Sequence, residues 1–209
     1  MKQEMTSLGK VGLIGRFKPL HNGGYIMLEA ACEQAESVTI GIGSSNKYNL
    51  RNPFTGKESE EMICSALKPK FSNYQIVHIP DFAHMPQYRD GQKWRGYVLE
   101  TFGKLNYFIS SNDYVANLLK NDYKIIHPSE IIPAEKQIPL RATEVRYEIA
   151  KFGNWKELVP KAVALYLEKN DIIDRFRKEF GIETIAQLAF SQELKEEDLE
   201  KEKLHAQEN

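Results

Sequence analysis

Five short apolar runs, each followed by a stretch of helical spacing, fill most of the first ~150 residues, and this alternation is the tightest constraint on the fold. The runs lie at residues 10–14, 37–42, 74–80, 107–110 and 124–127, rich in Val, Ile and aromatic side chains and too short for helices. Strands that alternate with helices need crossover connections, and crossovers make a parallel sheet with helices on both faces. The expected fold is α/β: a doubly wound, Rossmann-like parallel sheet of about five strands with C-terminal helices. Helical spacing continues at 155–169, 172–180 and 184–190 without a Pro, Gly or Ser linker, so residues 1–190 read as one domain. Residues 191–209 carry mostly charge and no apolar stripe, the composition of a solvated helix or a disordered tail.

Composition narrows the class. With 42% hydrophobic and 27% charged residues the chain is of ordinary globular type. A net charge of -1 gives no reason to expect a nucleic-acid or membrane partner. The N-terminal MKQEMTSLGK lacks the apolar run of a signal peptide and no segment approaches transmembrane length, so a cytoplasmic location is expected. Cys32 and Cys64 fall in helical stretches and read as free buried thiols.

Chemistry concentrates in KVGLIGRFKPLHNGGYIMLE, residues 10–29. A buried strand runs into a Gly-containing turn with Arg16, Lys18 and His21, and helical spacing begins at Tyr25. Strand, basic loop and helix N-terminus together aim backbone N–H groups and a positive dipole end at one point, a place to hold phosphate. The turn has neither the Gly-Lys-Ser/Thr ending of a P-loop nor the three-glycine spacing of a dinucleotide fingerprint. Further on, the polar loop at 43–55 follows the second strand, and Thr55-x-x-Glu58 fits a helix capping box. His78, His84 and His127 lie on separate strand ends and loops without metal-ligand spacing, and read as structural; no metal site is expected.

Gly15-Arg16-Phe17-x-Pro19-x-His21-x-Gly23 resembles the phosphate loop of the nucleotidylyltransferase superfamily, written HxGH, in the form found in archaeal-type nicotinamide-mononucleotide (NMN) adenylyltransferases. In order along the chain, IGIGSS at 40–45, RNPFT at 51–55, Trp94, SSN at 110–112, ATEVR at 142–146 and WKELVPKAV at 155–163 extend the resemblance over about residues 10–190. The resemblance implies attack of a mononucleotide phosphate on the α-phosphorus of ATP, with pyrophosphate leaving and Mg²⁺ as cofactor, in NAD biosynthesis. Cytidylyl transfer to another acceptor and nucleotide binding without turnover are the alternatives. The implied partners are ATP and a mononucleotide, with a homo-oligomer possible because relatives assemble.

By this resemblance His21, Arg16, Lys18 and Arg146 carry the chemistry. Gly15, Phe17, Gly23, Gly24, Arg51, Ser111, Arg141 and Thr143 bind ATP, with Thr143 as N-cap of its helix, and Asp81 and Trp94 receive the acceptor nucleotide. Read from the residues alone, Arg51 is equally a solvated loop residue and Trp94 equally a packing residue. One position departs from the pattern: the second histidine of HxGH is Gly24. Lys18 and Arg141 stand where the family has uncharged residues, and either could replace the missing donor.

Overall fold

The structure, a computed structural model, describes residues 7–187 and 189–190. The charged tail expected at 191–209 lies outside the described residues. Five parallel strands form one sheet: β1 (Lys10–Gly15), β2 (Ser37–Gly43), β3 (Tyr74–Ile79), β4 (Tyr107–Ile109) and β5 (Lys124–Ile126), in the order β3-β2-β1-β4-β5. The expected strands are all present, each within a residue or two of its expected ends.

The strand alternation sorts side chains cleanly onto two faces. Val11, Leu13, Val38, Ile40, Ile42, Ile109 and Ile126 face one core, completed by α1 (Asn22–Gln34), α2 (Gly56–Leu67), α5 (Ala142–Ala150), α6 (Lys161–Lys169) and α7 (Ile172–Phe176). Ile79 and Phe108 face the other, under α3 (Gln92–Phe102) and α4 (Asp113–Leu119). On that second face, Gly12 and Gly41 make room for Phe102. A Cβ on Gly12 would lie 2.8 Å from Phe102 Cδ1, and one on Gly41 would lie 2.9 Å from Phe102 Cζ.

Local signals explain most helix starts. Thr55 Oγ1 accepts from Glu58 N–H (3.1 Å) while the Glu58 carboxylate accepts from Thr55 N–H (2.8 Å), the expected capping box. Asn112 Oδ1 accepts from Val115 N–H and caps α4. Two expectations change. The helix expected over 155–169 is a 3₁₀ turn, Trp155–Leu158, then α6; Pro160 stands between them, has no N–H to continue the ladder, and becomes the N-cap of α6. Thr143 is not an N-cap: α5 begins at Ala142, so Thr143 is in its first turn and Arg141 holds the cap position. Beyond α7 a π turn at Arg177–Gly181 carries the chain into a helical segment at 182–187. Among the described residues no helix is long and apolar enough to cross a membrane. Cys32 is buried, Cys64 is half-buried, and both are free.

Candidate functional site

The strand order places β1 between β2 and β4, so the chain reverses its direction of winding between β1 and β4. In open α/β sheets that reversal opens a crevice outside the carboxyl ends of the strands. A cleft of about 940 Å³ sits there, with Ile14 and Gly15 ending β1 and Ile109 ending β4 on its floor. Every residue singled out from the sequence lines it: Gly15, Arg16, Phe17, Lys18, His21, Gly23, Gly24, Arg51, Asp81, Trp94, Ser111, Arg141, Thr143 and Arg146.

The turn after β1 is shaped by close contacts. Phe17 has φ 51°, and its ring lies against Gly15, where a Cβ would come within 2.6 Å of Cζ. His21 is the N-cap of α1, its Nδ1 accepting from Gly24 N–H (3.2 Å). With Nδ1 an acceptor, the proton of the neutral ring sits on Nε2. Burial pushes the His21 pKa down to about 4, against a smaller opposing effect of Glu144, so the ring is a neutral donor near pH 7. The loop before α5 folds over this helix start: a Cβ on Gly23 would meet Ile138 O at 2.8 Å.

Arg146 joins the two loops. Its guanidinium donates to Lys18 O (2.9 Å) and to Thr143 Oγ1 (3.1 Å), so α5 is tied to the turn after β1. Burial, then the charges of Arg16 and Arg51, push its pKa down to about 10. Arg16 is lowered by burial and by Arg51, with Asp81 opposing. Three guanidiniums thus stand close enough to repel one another. The Arg16, Arg51, Arg89 and Arg141 guanidiniums have no hydrogen-bond or ion-pair partner among the described residues, and Asp81 is the single carboxylate among the lining residues. Beside Arg51, Asn52 is 4% exposed and its Oδ1 is a buried acceptor without a donor. Groups left in this state are set for a ligand that brings several negative oxygens.

Lys18 is placed differently from its expected role. It is 1% exposed, and its ammonium donates to Ser44 O (2.9 Å) and Lys47 O (3.4 Å). Its charge is engaged by the loop after β2, and burial, then Arg16, lowers its pKa to about 8. It anchors that loop at the edge of the cleft. The Arg141 backbone N–H donates to the Glu144 carboxylate (3.1 Å), closing the first turn of α5, and the Arg141 side chain at the cleft has no partner among the described residues.

At the other end, Asp81 follows β3 and is fixed by reciprocal bonds with Asn46: Asp81 N–H to Asn46 Oδ1 (2.8 Å) and Asn46 Nδ2 to Asp81 O (3.0 Å). Trp94 lies in the first turn of α3, half-buried against the second core and bordering the cleft, so it both packs and presents a surface. Tyr88, Arg89, Tyr114 and His127 also line the cleft; sequence reasoning missed the first three and read His127 as structural. Only His127 carried a signal, its place at the carboxyl end of a parallel strand; its Nδ1 accepts from Ser129 N–H (3.2 Å). His78 and His84 are bonded to Glu60 and Lys47.

A candidate metal centre would need clustered ligands. Among the described residues no group of three or more His, Cys, Asp or Glu is placed to hold an ion. With Asp81 as its single carboxylate, the cleft offers no protein-only cage for a hard cation.

Comparison with known proteins agrees with this geometry. The cytidylyltransferase-like family model matches residues 13–148. A nicotinamide-nucleotide adenylyltransferase of Thermococcus sibiricus is 34% identical over 192 residues, covering 90% of this chain and 93% of its own. The protein of the same name from Pyrococcus furiosus is 33% identical, covering 78% and 85%. Among solved structures, a bifunctional NMN adenylyltransferase/ADP ribose pyrophosphatase of Francisella tularensis, in complex with AMP and a manganese ion, matches with a TM-score of 0.63 at 19% identity. That match covers 92% of this chain but 56% of the longer protein, and it is a likeness of fold. The family match and the identities, spread over most of the chain, establish that it belongs to the cytidylyltransferase-like family of nucleotidyltransferases.

Proposed function

We propose that the chain transfers the adenylyl group of ATP to the phosphate of a pyridine mononucleotide, NMN or nicotinate mononucleotide, a step of NAD biosynthesis. A phosphate oxygen of the mononucleotide attacks the α-phosphorus. The bond from that phosphorus to the oxygen bridging to the β-phosphate breaks, and pyrophosphate leaves with the electron pair. The observation that carries this reading is the set of guanidiniums without protein acceptors at the reversal of the sheet. A polyphosphate satisfies several such cations at once, and their mutual repulsion is relieved when it binds. The choice of ATP and of a pyridine acceptor is supported by the names of the sequence relatives.

In this reading Arg16, Arg51, Arg141 and Arg146 hold the phosphates, with Gly15, Phe17, Gly23, Ser111 and Thr143 forming the walls at two helix starts. His21 Nε2–H donates to the oxygen on which charge builds, and Asp81 and Trp94 receive the acceptor. Magnesium, bound to the phosphates with Asp81 as the protein carboxylate of the cleft, would supply further charge neutralisation. Gly24 omits a donor without closing the site. A Cβ there meets Leu20 Cδ1 at 3.4 Å and His21 Cε1 and Nε2 at 3.7 and 3.8 Å, all ordinary contacts. A histidine at position 24 would start beside the His21 ring.

Pyrophosphate release from ATP paired with each mononucleotide, and from CTP, tests this for wild type and Gly24→His. Wild type should turn over ATP with a pyridine mononucleotide, and Gly24→His should be faster by about 10²–10³-fold, the usual worth of one preorganised donor. Turnover of CTP but not ATP would move the function to cytidylyl transfer. No release by either protein would remove the enzyme reading.

A further inference from the structure

The chain beyond residue 148 lies outside the family match, yet it makes a set of specific contacts with one segment of the site. That segment, residues 48–55, runs from the loop after β2 into α2 and carries Arg51 into the cleft. Its middle is a tight turn, with Asn49 and Asn52 exchanging backbone bonds of 3.2 and 2.7 Å. Both ends of the turn are gripped by α7 and the π turn that follows.

At the near end, Tyr48 Oη donates to the Glu179 carboxylate, and its ring meets Phe180 edge-on at 5.4 Å. At the far end, Arg175 donates to both Glu58 oxygens and to Pro53 O (3.3 Å), while Phe54 stacks on Phe176 at 5.6 Å. The Arg175 guanidinium also lies 5.7 Å from the Tyr48 ring centre, so one side chain touches both ends. Burial alone would raise the Glu58 carboxyl, but the bonds from Arg175 and Thr55 hold it below the usual carboxylate value. The Arg51 side chain has no bonding partner among the described residues, so its place is set by its backbone, and its backbone is set by these contacts.

We propose that α7 and the π turn act as a strut for the Arg51 turn, with Arg175, Tyr48 and Glu179 as positioning residues that hold Arg51 where the triphosphate meets it. None of the three lines the cleft, so their effect on nucleotide binding runs through Arg51. This rests on the reading of the cleft as an ATP site.

Two measurements on the full chain test it. Titration with ATP is done for wild type, Tyr48→Phe, Glu179→Gln and Arg51→Ala, and for each strut variant combined with Arg51→Ala. Tyr48→Phe keeps the ring and removes the hydroxyl, and Glu179→Gln keeps the shape, so both are expected to fold. Arg175→Ala is avoided because it would leave Glu58 without its partner. Each strut variant should weaken ATP binding about three- to tenfold with Arg51 present and have no further effect once Arg51 is alanine. The same weakening in both backgrounds, or none in either, overturns the strut. Amide hydrogen exchange without nucleotide is the second measurement. The strut predicts faster exchange at residues 49–54 in Tyr48→Phe and Glu179→Gln, with β1–β3 unchanged, and unchanged exchange at 49–54 overturns it. If wild type binds no nucleotide, the function proposed above fails while the exchange result still decides the strut.

Discussion

His21 shows how one side chain is set for its task by its position in the chain. As N-cap it accepts from Gly24 N–H, which assigns its proton to Nε2, and burial keeps it neutral. Its folded pKa of about 4 lies below the ordinary histidine value, so between roughly pH 4 and 6.5 the unfolded chain binds more protons than the folded one. Stability from this group is therefore complete above that window and is lost as pH falls through it. His21→Asn keeps a capping oxygen and removes the titration. Lowering the pH from about 7 to about 5 should reduce the wild-type Tm more than that of the variant, and parallel profiles would contradict the buried neutral ring. The Thr55–Glu58 capping box was legible in the sequence because both partners lie within one helical turn; the cap that His21 makes was not, because histidine is not among the usual N-cap residues. Nor was the role of Lys18. Its acceptors are carbonyls of Ser44 and Lys47, on a loop brought alongside only when β1 and β2 pair.

Among the elements, strands were easier to read than the way helices seat on them. Each strand announced itself as a short run rich in Val, Ile and aromatic residues, whereas nothing local marks Gly12 and Gly41 as the floor beneath Phe102. The two glycines sit on neighbouring strands and matter because α3 descends onto both. Gly41→Ala would place a methyl 2.7 Å from Ile14 Cγ1 and 2.9 Å from Phe102 Cζ. Overpacking of this degree costs about 1–3 kcal/mol, which equilibrium urea unfolding would read as a lower midpoint with unchanged slope. An unchanged midpoint would contradict the close seating of α3. The break of the expected helix at Pro160 is the reverse case, a local signal overridden in the reading by strong helical spacing on both sides. The contacts of Arg175 with Glu58, 117 residues away, could be found only with the folded chain in view.

For the molecule as a whole, nearly balanced charge conceals a polarised cleft. A net charge of -1 is spread over 28 basic and 29 acidic residues, yet the site gathers five arginines and one carboxylate. Composition averages over that arrangement; the strand order creates it, by turning the loops after β1, β2 and β3 and the start of α5 toward one crevice. The cationic residues of the sequence motifs line one cleft because each follows a strand or opens a helix, the positions that a parallel sheet brings to one edge. What the motifs could not convey is which cations are already engaged, as Arg146 and Lys18 are, and which have no partner among the described residues.

The central claim is that this crevice is built for a triphosphate. A crystal structure with a non-hydrolysable ATP analogue and magnesium tests it most directly. The expected result is phosphate oxygens within hydrogen-bond distance of Arg16, Arg51, Arg146 and His21 Nε2, with the loops of β1 and α5 on either side. An analogue bound elsewhere, or phosphates turned away from these guanidiniums, would contradict it.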